Sequence, residues 1–251
     1  MKIQFIFHSS YLVELDSCYL LFDYYQGELP ELRGDKPLYV LASHVHYDHF
    51  SPVVFQLAKK YPGVTYILSD DISEMLCRDA VEELGIEEPE ILWIRPEIEY
   101  TLPEFRVEAY PSTDQGVSFL VEADGKRIFH AGDLNDWCWP NVPNSRKETM
   151  QRDYFEILEL LGSFLRVDDD RKLDVVMLPM DPVLGDGQFQ GPVEFLRRIP
   201  VRYAFPMHMW ERYSVGEEFL REYPEYKGSF QPVRTPGQTF LLDKDGLTEL
   251  K

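Results

Sequence analysis

His44-Val45-His46-Tyr47-Asp48-His49 is the stretch of sequence that decides the fold, and it holds three of the chain's six histidines. An apolar run at 37–42 precedes it, and Ser51-Pro52 behind it is typical of a helix start. The stretch is therefore predicted to be a loop between a buried strand and a helix, which hold its side chains in place. One ion can hardly collect all four potential ligands, but two neighbouring ions could share them. The alternative, a polar loop that is rich in histidine by chance, is disfavoured because histidine is rare in this chain.

Composition and charge restrict the classes of protein. With 251 residues, 44% of them hydrophobic, the chain can bury a sizeable core. No linker-like, low-complexity or repeated segment divides it, so a single domain over 1–251 is predicted. The net charge of −19 argues against nucleic acid as a partner, because phosphate binding needs clustered lysine and arginine.

Cysteine usage and the absence of long apolar runs predict a cytoplasmic protein. Cys18, Cys77 and Cys138 are odd in number and form no CxxC motif, which fits reduced thiols better than a disulfide framework. No secretory leader is recognisable and no apolar run approaches about 18 residues, so neither secretion nor a membrane span is expected.

The hydrophobic pattern intermixes strands and helices through both halves of the chain. Strands are predicted at 2–7, 11–16, 19–23, 38–42, 64–68, 91–94, 105–110, 117–122, 126–131, 174–178, 202–206 and 238–242. Helices are predicted at 52–61, 71–84 (with Gly85 as its stop signal), 150–162, 192–198 and 216–223. Two sheets packed face to face with helices outside are consistent with this pattern, and so is one doubly wound sheet.

One hairpin brings two aspartates together. The sequence at 123–126, Ala-Asp-Gly-Lys, is a strong two-residue turn because aspartate and glycine tolerate the positive φ of a type I′ turn. Pairing outward from the turn places Gly116 opposite Asp133 and Asp114 opposite Asn135, so both aspartates emerge at one end of the hairpin. Two carboxylates this close would repel each other unless a cation lay between them. The hairpin is therefore independent support for a metal site.

The stretch at 44–49 also matches the HxHxDH signature of the metallo-β-lactamase superfamily, and the resemblance covers essentially the full length. His-Ala-Gly-Asp at 130–133 resembles the strand-end motif whose aspartate bridges two metals in that superfamily. Pro206-Met207-His208 resembles the motif of its last histidine ligand, with a core histidine as the alternative for His208. The segments at 7–10 and 20–23 are similar to the first hairpin of the lactonase-like and phospholipase-like branch. The resemblance implies an α/β fold, a four-layer αββα sandwich.

The chain departs from the superfamily at one ligand position. Most members carry a histidine four residues before a serine, and here the fourth residue before Ser118 is Asp114. Asp114 could replace the histidine as an oxygen ligand, or one metal position could be weakened, or the segment could be a plain turn. Activities of the glyoxalase II and class B lactamase types, which rely on that histidine, become less expected.

The motifs and the hairpin together predict two divalent ions per chain. The first would be held by His44, His46, Asp114 and Asp133, and the second by Asp48, His49, Asp133 and His208. These ligands suit zinc foremost, with manganese or iron as alternatives because the extra carboxylate makes the first site harder. Asp23, at a strand end, is implied to orient a ligand histidine, or else is a turn residue.

The expected function is a hydrolase in which a hydroxide between the two metals attacks a small phosphorylated or lactone-type substrate. The candidate catalytic residues are Asp48, His8 and Asp181. A strand-end histidine and a turn cap remain equally good interpretations of His8 and Asp181. A phosphodiesterase and a metal-stabilised binding protein without turnover are the alternatives, and the sequence does not indicate an oligomeric state.

The loop after Asp133 carries two tryptophans, Trp137 and Trp139, in a proline-containing segment. They are predicted to form an aromatic lid that binds substrate and limits water, or else a plug that covers the end of the sheet. Arg146 and Lys147 follow as the basic pair nearest in sequence and could receive an anionic group of the substrate.

Overall fold

The computed structural model describes residues 1–76, 90–166 and 172–250. The described residues form fourteen strands: β1 (Lys2–Phe7), β2 (Ser10–Glu14), β3 (Tyr19–Phe22), β4 (Leu38–Ala42), β5 (Thr65–Ser69), β6 (Glu90–Ile94), β7 (Ile98–Thr101), β8 (Phe105–Pro111), β9 (Val117–Ala123), β10 (Lys126–His130), β11 (Leu173–Pro179), β12 (Val201–Met207), β13 (Thr239–Asp243) and β14 (Gly246–Leu250). Their helices are α1 (Leu57–Lys60), α2 (Asp71–Met75), α3 (Asn144–Arg166), α4 (Gln190–Arg198) and α5 (Val215–Glu222), with 3₁₀ turns at Pro52–Gln56, Pro182–Gly187 and Pro224–Tyr226.

The strands belong to two sheets. The larger sheet has the order β14-β13-β1-β2-β3-β4-β5-β6, and the smaller has the order β12-β11-β10-β9-β8-β7. Neighbouring strands from β3 to β6 are parallel. The same holds for β10, β11 and β12 in the smaller sheet. Parallel neighbours end at the same edge of their sheet, so the loops that follow them lie side by side.

Side chains of the larger sheet alternate between two hydrophobic cores. In β4, Tyr39 and Leu41 join the core between the sheets, whereas Val40 joins an outer core with Phe55 of the 3₁₀ turn before α1. Across the inner core, the rings of Phe22 and Phe119 contact at 6.1 Å. Helices α3 and α4 pack on the smaller sheet through buried residues such as Leu158 and Phe195. The layers run helix, sheet, sheet, helix, so the predicted αββα sandwich is confirmed.

The predicted strands match the observed ones to within two residues at each end. Strands β7 and β14 were not predicted, because edge strands with mostly exposed side chains lack the apolar alternation of a buried strand. Helix α3 begins six residues before the predicted start at 150. The predicted helix at 71–84 is described only as α2, and Cys77 and Gly85 lie outside the described residues. None of the described helices is long and apolar enough to cross a membrane.

The residues predicted to carry chemistry gather at one edge of the two sheets, where strands end. His8 follows β1, Asp23 follows β3, Ser43 and His44 follow β4, Asp133 lies three residues after β10, Asp181 two residues after β11, and His208 follows β12. The backbones of His8, Asp23 and His208 are left-handed, with φ of 52°, 42° and 56°. Such conformations are uncommon for residues other than glycine and persist where the surrounding structure holds them.

Gly116 allows the end of the β9–β10 hairpin to approach the histidine-rich loop. At its φ of 64°, a Cβ atom would lie 2.0 Å from Ser43 O and 2.6 Å from His44 Cβ. The next residue, Val117, donates its backbone N–H to Ser43 O at 2.9 Å. This close contact joins the two sheets beside His44, the first of the predicted ligand histidines.

We therefore expect Gly116→Ala to destabilise the protein more than a matched change at Gly125. Gly125 has a similar φ of 69° but open space around it, so Gly125→Ala carries only the left-handed strain, about 1–2 kcal/mol. Gly116→Ala adds a clash with backbone, worth about 1–3 kcal/mol more, and displaces His44. Urea unfolding measures both variants. An equal loss of stability would show that the close contact is unimportant.

Candidate metal centre

All seven predicted ligands lie in two groups of side chains at this edge. Within each group, the potential ligand atoms lie within 4.8 Å of one another. The first group comprises His44, His46, Asp114 and Asp133, and the second comprises His8, Asp48, His49 and His208. The first group coincides with the predicted first ligand set, and the second adds His8 to three members of the predicted second set.

Asp133 lies between the two groups. Its Oδ2 is 3.5 Å from Nε2 of His44 in the first group. Its Oδ1 is 3.1 Å from Nε2 of His49 and 3.4 Å from Nε2 of His208 in the second group. One carboxylate thus presents a separate oxygen to each group, which is the arrangement that a bridging ligand requires.

A buried carboxylate, Asp23, orients His49 from behind. Asp23 Oδ2 is 2.7 Å from His49 Nδ1 and accepts a hydrogen bond from Ser43 Oγ at 2.7 Å. Asp23 Oδ1 accepts another from the backbone N–H of Ser43, also at 2.7 Å. Because Nδ1 of His49 is engaged, its Nε2 is the atom turned toward Asp133. Ligand histidines in metal sites typically have such a carboxylate behind them.

Ser43 extends the same support to His44. Since the Ser43 hydroxyl donates its proton to Asp23, its oxygen is free to accept from His44 Nδ1, 3.0 Å away. His44 then presents Nε2 to the site, where it lies 2.9 Å from Nδ1 of His46. The two histidines therefore face the first group through different ring nitrogens.

Asp181 lies behind His208 at a similar distance, although the direction of this contact does not suit a hydrogen bond. Its Oδ2 is 3.0 Å from His208 Nδ1, and its Oδ1 accepts a hydrogen bond from the backbone N–H of Val183 at 2.8 Å. Asp181 therefore both caps the following 3₁₀ turn and contacts a predicted ligand histidine. Of the two roles expected for it, catalytic residue or turn cap, the geometry fits the cap and adds the contact with His208.

His8, which follows β1, is the remaining member of the second group. Its Nε2 lies 3.3 Å from Asp48 Oδ2. Its ring lies 4.3 Å from the ring of His208 and 4.2 Å from the ring of Trp210, between centroids. The His8 side chain is fully buried, so this histidine is part of the site wall.

Several buried atoms at the centre have no hydrogen-bond partner among the described residues. They are His8 Nε2, His49 Nε2 and Asp133 Oδ1. His49 Nε2 and Asp133 Oδ1 are only 3.1 Å apart, yet their directions do not suit a hydrogen bond to each other. Unsatisfied buried polar atoms are costly, and here they converge. The imidazole and carboxylate donors therefore fit a bound divalent ion.

Burial and charge shift the pKa values of the central groups strongly. Burial alone would lower the pKa of His49, but the carboxylates of Asp133 and Asp23 outweigh it and raise that pKa well above its ordinary value. Burial would raise the pKa of Asp133, but His49 and His208 hold it well below the ordinary range. The pKa of His44 is lowered to about 3, foremost by burial. Perturbation of this size is typical of functional sites.

The two groups differ in exposure. His49 and His208 of the second group are buried, and the Asp48 side chain is 10% exposed. In the first group, the side chains of His46 and Asp114 are 41% and 43% exposed and lie 3.4 Å apart, from Nδ1 to Oδ2. Burial and the nearby charge of Asp133 raise the pKa of Asp114, which a cation between the two carboxylates would reverse. The first group is the more open to solvent.

The two tryptophans of the loop after Asp133 stack on each other, with ring centroids 5.3 Å apart. Trp137 is buried, donates its Nε1–H to Asp133 O at 2.8 Å and lies 5.5 Å from the His208 ring. Trp139 is half-buried on its outer side. Trp137 thus forms a wall of the second group, and Trp139, stacked on it, is the member of the pair that solvent can reach.

Lys147 lines a cavity of about 840 Å³ between this loop, α3 and the 3₁₀ turn at Pro182–Gly187. Arg146 is exposed on the first turn of α3 and is not among the residues that line this cavity. None of the seven predicted metal ligands lines this cavity either, so the cavity lies beside the metal centre and does not contain it.

Ser43 and Trp210 are site residues that the sequence analysis missed. Ser43 lies between a buried strand and the first histidine of the motif, and this position is the sequence signal that could have identified it as a site residue. Trp210 donates its backbone N–H to His8 Nδ1 at 3.2 Å. Because this bond joins residues 202 positions apart, no local pattern could reveal it.

Comparisons with known proteins agree with this architecture. The family model of the β-lactamase superfamily domain matches residues 21–209, which contain all seven predicted ligands and Asp23. A metal-dependent hydrolase from Opitutus terrae is 25% identical over 263 aligned positions, covering 95% of this chain and 99% of the relative. Another from Nanoarchaeum equitans is 28% identical over 214 positions, covering 83% of each.

A solved structure is similar over the whole chain. It is a metallo hydrolase from the hyperthermophilic archaeon Ignicoccus hospitalis, with a TM-score of 0.64 and 15% identity, covering 100% of this chain and 99% of that one. At this identity the likeness concerns the fold.

The raised pKa of His49 predicts that zinc binding releases a proton. The carboxylates on either side raise the pKa of the His49 ring and so favour its protonated form, and a metal ion must displace that proton to reach Nε2. Calorimetric titration of chelator-treated protein in buffers of different ionisation enthalpy should therefore give about one proton or more released per chain. Asp23→Asn, which removes one of the two carboxylates, should reduce the number. A heat that does not depend on the buffer would contradict the assignment.

Proposed function

Because the chain belongs to the metallo-β-lactamase superfamily, we propose that it is a metal-dependent hydrolase that binds two divalent ions and cleaves a small phosphorylated or lactone-type substrate. The observation that carries the proposal is the position of Asp133, whose two oxygens face two separate groups of imidazoles at 3.1–3.5 Å. The names of the relatives from Opitutus terrae and Nanoarchaeum equitans support a metal-dependent hydrolase as well.

The ligands divide between the two ions by distance. His44, His46, Asp114 and Asp133 Oδ2 would hold the first ion. Asp48, His49, His208 and Asp133 Oδ1 would hold the second. The carboxylates of Asp23 and Asp181 contact Nδ1 of His49 and His208, respectively, and orient the two rings. The Nε2 atoms are therefore in position before a metal ion binds, and binding does not have to order them. The more exposed first site should exchange its ion faster than the second.

When bound, such ions lower the pKa of a coordinated water and polarise the bond to be cleaved. The residues of the chain supply the rest of the reaction. Asp48 Oδ2 faces His8, His49 and His208 at 3.3, 4.0 and 3.6 Å, and these contacts fix its carboxylate toward the centre. Water is added across an acyl–oxygen or phosphorus–oxygen bond, and the leaving alcohol takes up a proton. No serine or cysteine nucleophile is required.

Trp139 is proposed to form the movable part of the substrate wall. The Trp137 side chain is fixed by its hydrogen bond to Asp133 O. Among the described residues, the ring contact of Trp139 is its stacking on Trp137. An apolar group of the substrate could lie against the outer face of Trp139, and this would limit water at the centre. The plug interpretation applies to Trp137, which is buried.

Metal identity, substrate and location complete the proposal. Zinc suits the histidine-rich groups, and manganese or iron suits the first group because Asp114 adds a hard oxygen ligand. The net charge of −19 supports a small-molecule substrate over nucleic acid. The free thiols of Cys18 and Cys138 support a reducing, cytoplasmic environment.

Asp114→Asn should lower the zinc content from about two equivalents to about one. An amide oxygen is a weaker ligand than a carboxylate, and the half-exposed first site has no buried partner behind Asp114 among the described residues. Asp153→Asn on α3, where the aspartate side chain is 49% exposed, is the matched control and should keep both ions. Elemental analysis after gel filtration measures the content. A wild-type protein that never exceeds one equivalent, or an Asp114 variant that keeps two, would contradict the first site.

Hydrolysis itself is tested with zinc- or manganese-loaded protein and a panel of bis(p-nitrophenyl) phosphate, p-nitrophenyl phosphate, dihydrocoumarin and a thioester. We expect turnover of at least one phosphoester or lactone, and its loss in Asp48→Asn without a change in the unfolding midpoint of the zinc-free protein. Cleavage of the diester alone would favour the phosphodiesterase. If two ions bind but no member of the panel reacts, a binding protein without turnover becomes the better account.

A further inference from the structure

The imidazoles of the second group fall into two kinds according to the polar groups that contact their Nδ1 atoms. Nδ1 of His49 faces the Asp23 carboxylate at 2.7 Å, and Nδ1 of His208 faces the Asp181 carboxylate at 3.0 Å. The contact of His49 is a hydrogen bond, which the carboxylate can only accept, so Nδ1 of His49 carries a proton. The direction of the His208 contact does not suit a hydrogen bond, but an unprotonated Nδ1 would place its lone pair 3.0 Å from a carboxylate oxygen, so Nδ1 of His208 is assigned a proton as well. The lone pair of the neutral ring is then on Nε2, the atom that faces the centre. Both rings are therefore oriented to bind a metal.

His8 has the opposite arrangement. The backbone N–H of Trp210 donates to His8 Nδ1 at 3.2 Å. A backbone N–H cannot accept a hydrogen bond, so Nδ1 must supply the lone pair, and the proton of the neutral ring is on Nε2. When all three rings are neutral, only that of His8 presents an N–H to the centre. An Nε2 atom that keeps its proton has no lone pair for a metal ion.

The surrounding loop fixes the His8 ring in this orientation. His208 donates its backbone N–H to His8 O at 3.1 Å, so the segment at 208–210 binds both the backbone and the ring of His8. The indole of Trp210 packs on the ring at 4.2 Å. His8 and Trp210 both have a φ of 52°, a conformation that the contacts between them stabilise.

We infer that His8 is a hydrogen-bond donor to the substrate and not a third histidine ligand of the second ion. Its Nε2–H is directed at the oxygen on which negative charge develops during hydrolysis. The atom is buried and has no hydrogen-bond partner among the described residues. The nearest carboxylate oxygen, Asp48 Oδ2 at 3.3 Å, belongs to a proposed metal ligand and so has another partner in the loaded enzyme. The proton remains on the ring, and no group is transferred to or from His8.

This role deepens the proposed function and rests on it. A donor that is already fixed in a buried site stabilises a developing oxyanion without the cost of reorganisation, and loss of one such donor typically lowers kcat about 10²–10³-fold. A metal ligand would behave differently, because its removal lowers the metal content first.

The tautomers can be read directly by long-range ¹H–¹⁵N correlation spectra of the histidine rings, recorded with and without zinc. His8 should have a protonated Nε2 and an unprotonated Nδ1 in both spectra, whereas His49 and His208 in the zinc-loaded protein should have a protonated Nδ1. Disappearance of one set of signals in His8→Gln assigns His8. A protonated Nδ1 on His8, with Nε2 shifted by zinc, would overturn the inference.

Variants separate a donor from a ligand. His8→Leu and His8→Gln should both keep two zinc equivalents, whereas His208→Gln should lose one. On the cleaved probe, His8→Leu should lower kcat about 10²–10³-fold with little change in KM, and His8→Gln, which keeps a side-chain N–H, should recover part of the loss. A His8 variant that folds with one zinc equivalent is evidence for a ligand and contradicts the inference, and so does full activity of His8→Leu.

The two proposals can fail separately. If the wild-type protein binds no zinc and cleaves no probe, the proposed function is wrong. The spectrum of the zinc-free protein still decides which nitrogen of His8 carries the proton, since the hydrogen bond from Trp210 does not involve a metal. A protonated Nδ1 in that spectrum would be enough to reject the donor assignment.

Discussion

The buried carboxylate of Asp23 is the interaction on which the rest of the site depends. It receives hydrogen bonds from the backbone and the hydroxyl of Ser43 and contacts Nδ1 of His49, each at 2.7 Å. His49 belongs to the second ligand group, and Ser43 in turn contacts His44 of the first. A single carboxylate therefore positions both groups, and its complete burial prevents water from replacing these contacts.

The fold places Asp23 beside the other site residues because strands of both sheets end at the same edge of the sandwich. Close contact between the sheets there requires Gly116, and the hydrogen bond from Val117 to Ser43 joins them. On the far side, the segment after β12 binds His8 through His208 N and Trp210 N. The centre is therefore enclosed by contacts that are distant in sequence. It can hold converging polar atoms because the hydrophobic cores stabilise the chain around them.

Much of this architecture could be predicted from the sequence, and the exceptions have physical causes. Buried strands such as β4 are apolar on both faces, so their runs are easily recognised, whereas the exposed edge strands β7 and β14 lack that signal. The type I′ turn at Asp124 and Gly125, both with positive φ, fixed the hairpin register correctly. That register brings Asp114 and Asp133 into one ligand group.

The tautomer of His8 could not be predicted from the sequence, since it is set by a hydrogen bond to Trp210 that only the folded chain makes.

The central claim is that Asp133 bridges two ions. Crystals of the wild-type protein loaded with zinc, measured on both sides of the zinc absorption edge, test it most directly. The account predicts two anomalous peaks, one beside each oxygen of Asp133, with Asp114 at the first and Asp48 at the second. A single peak, or two peaks that Asp133 does not join, would contradict it.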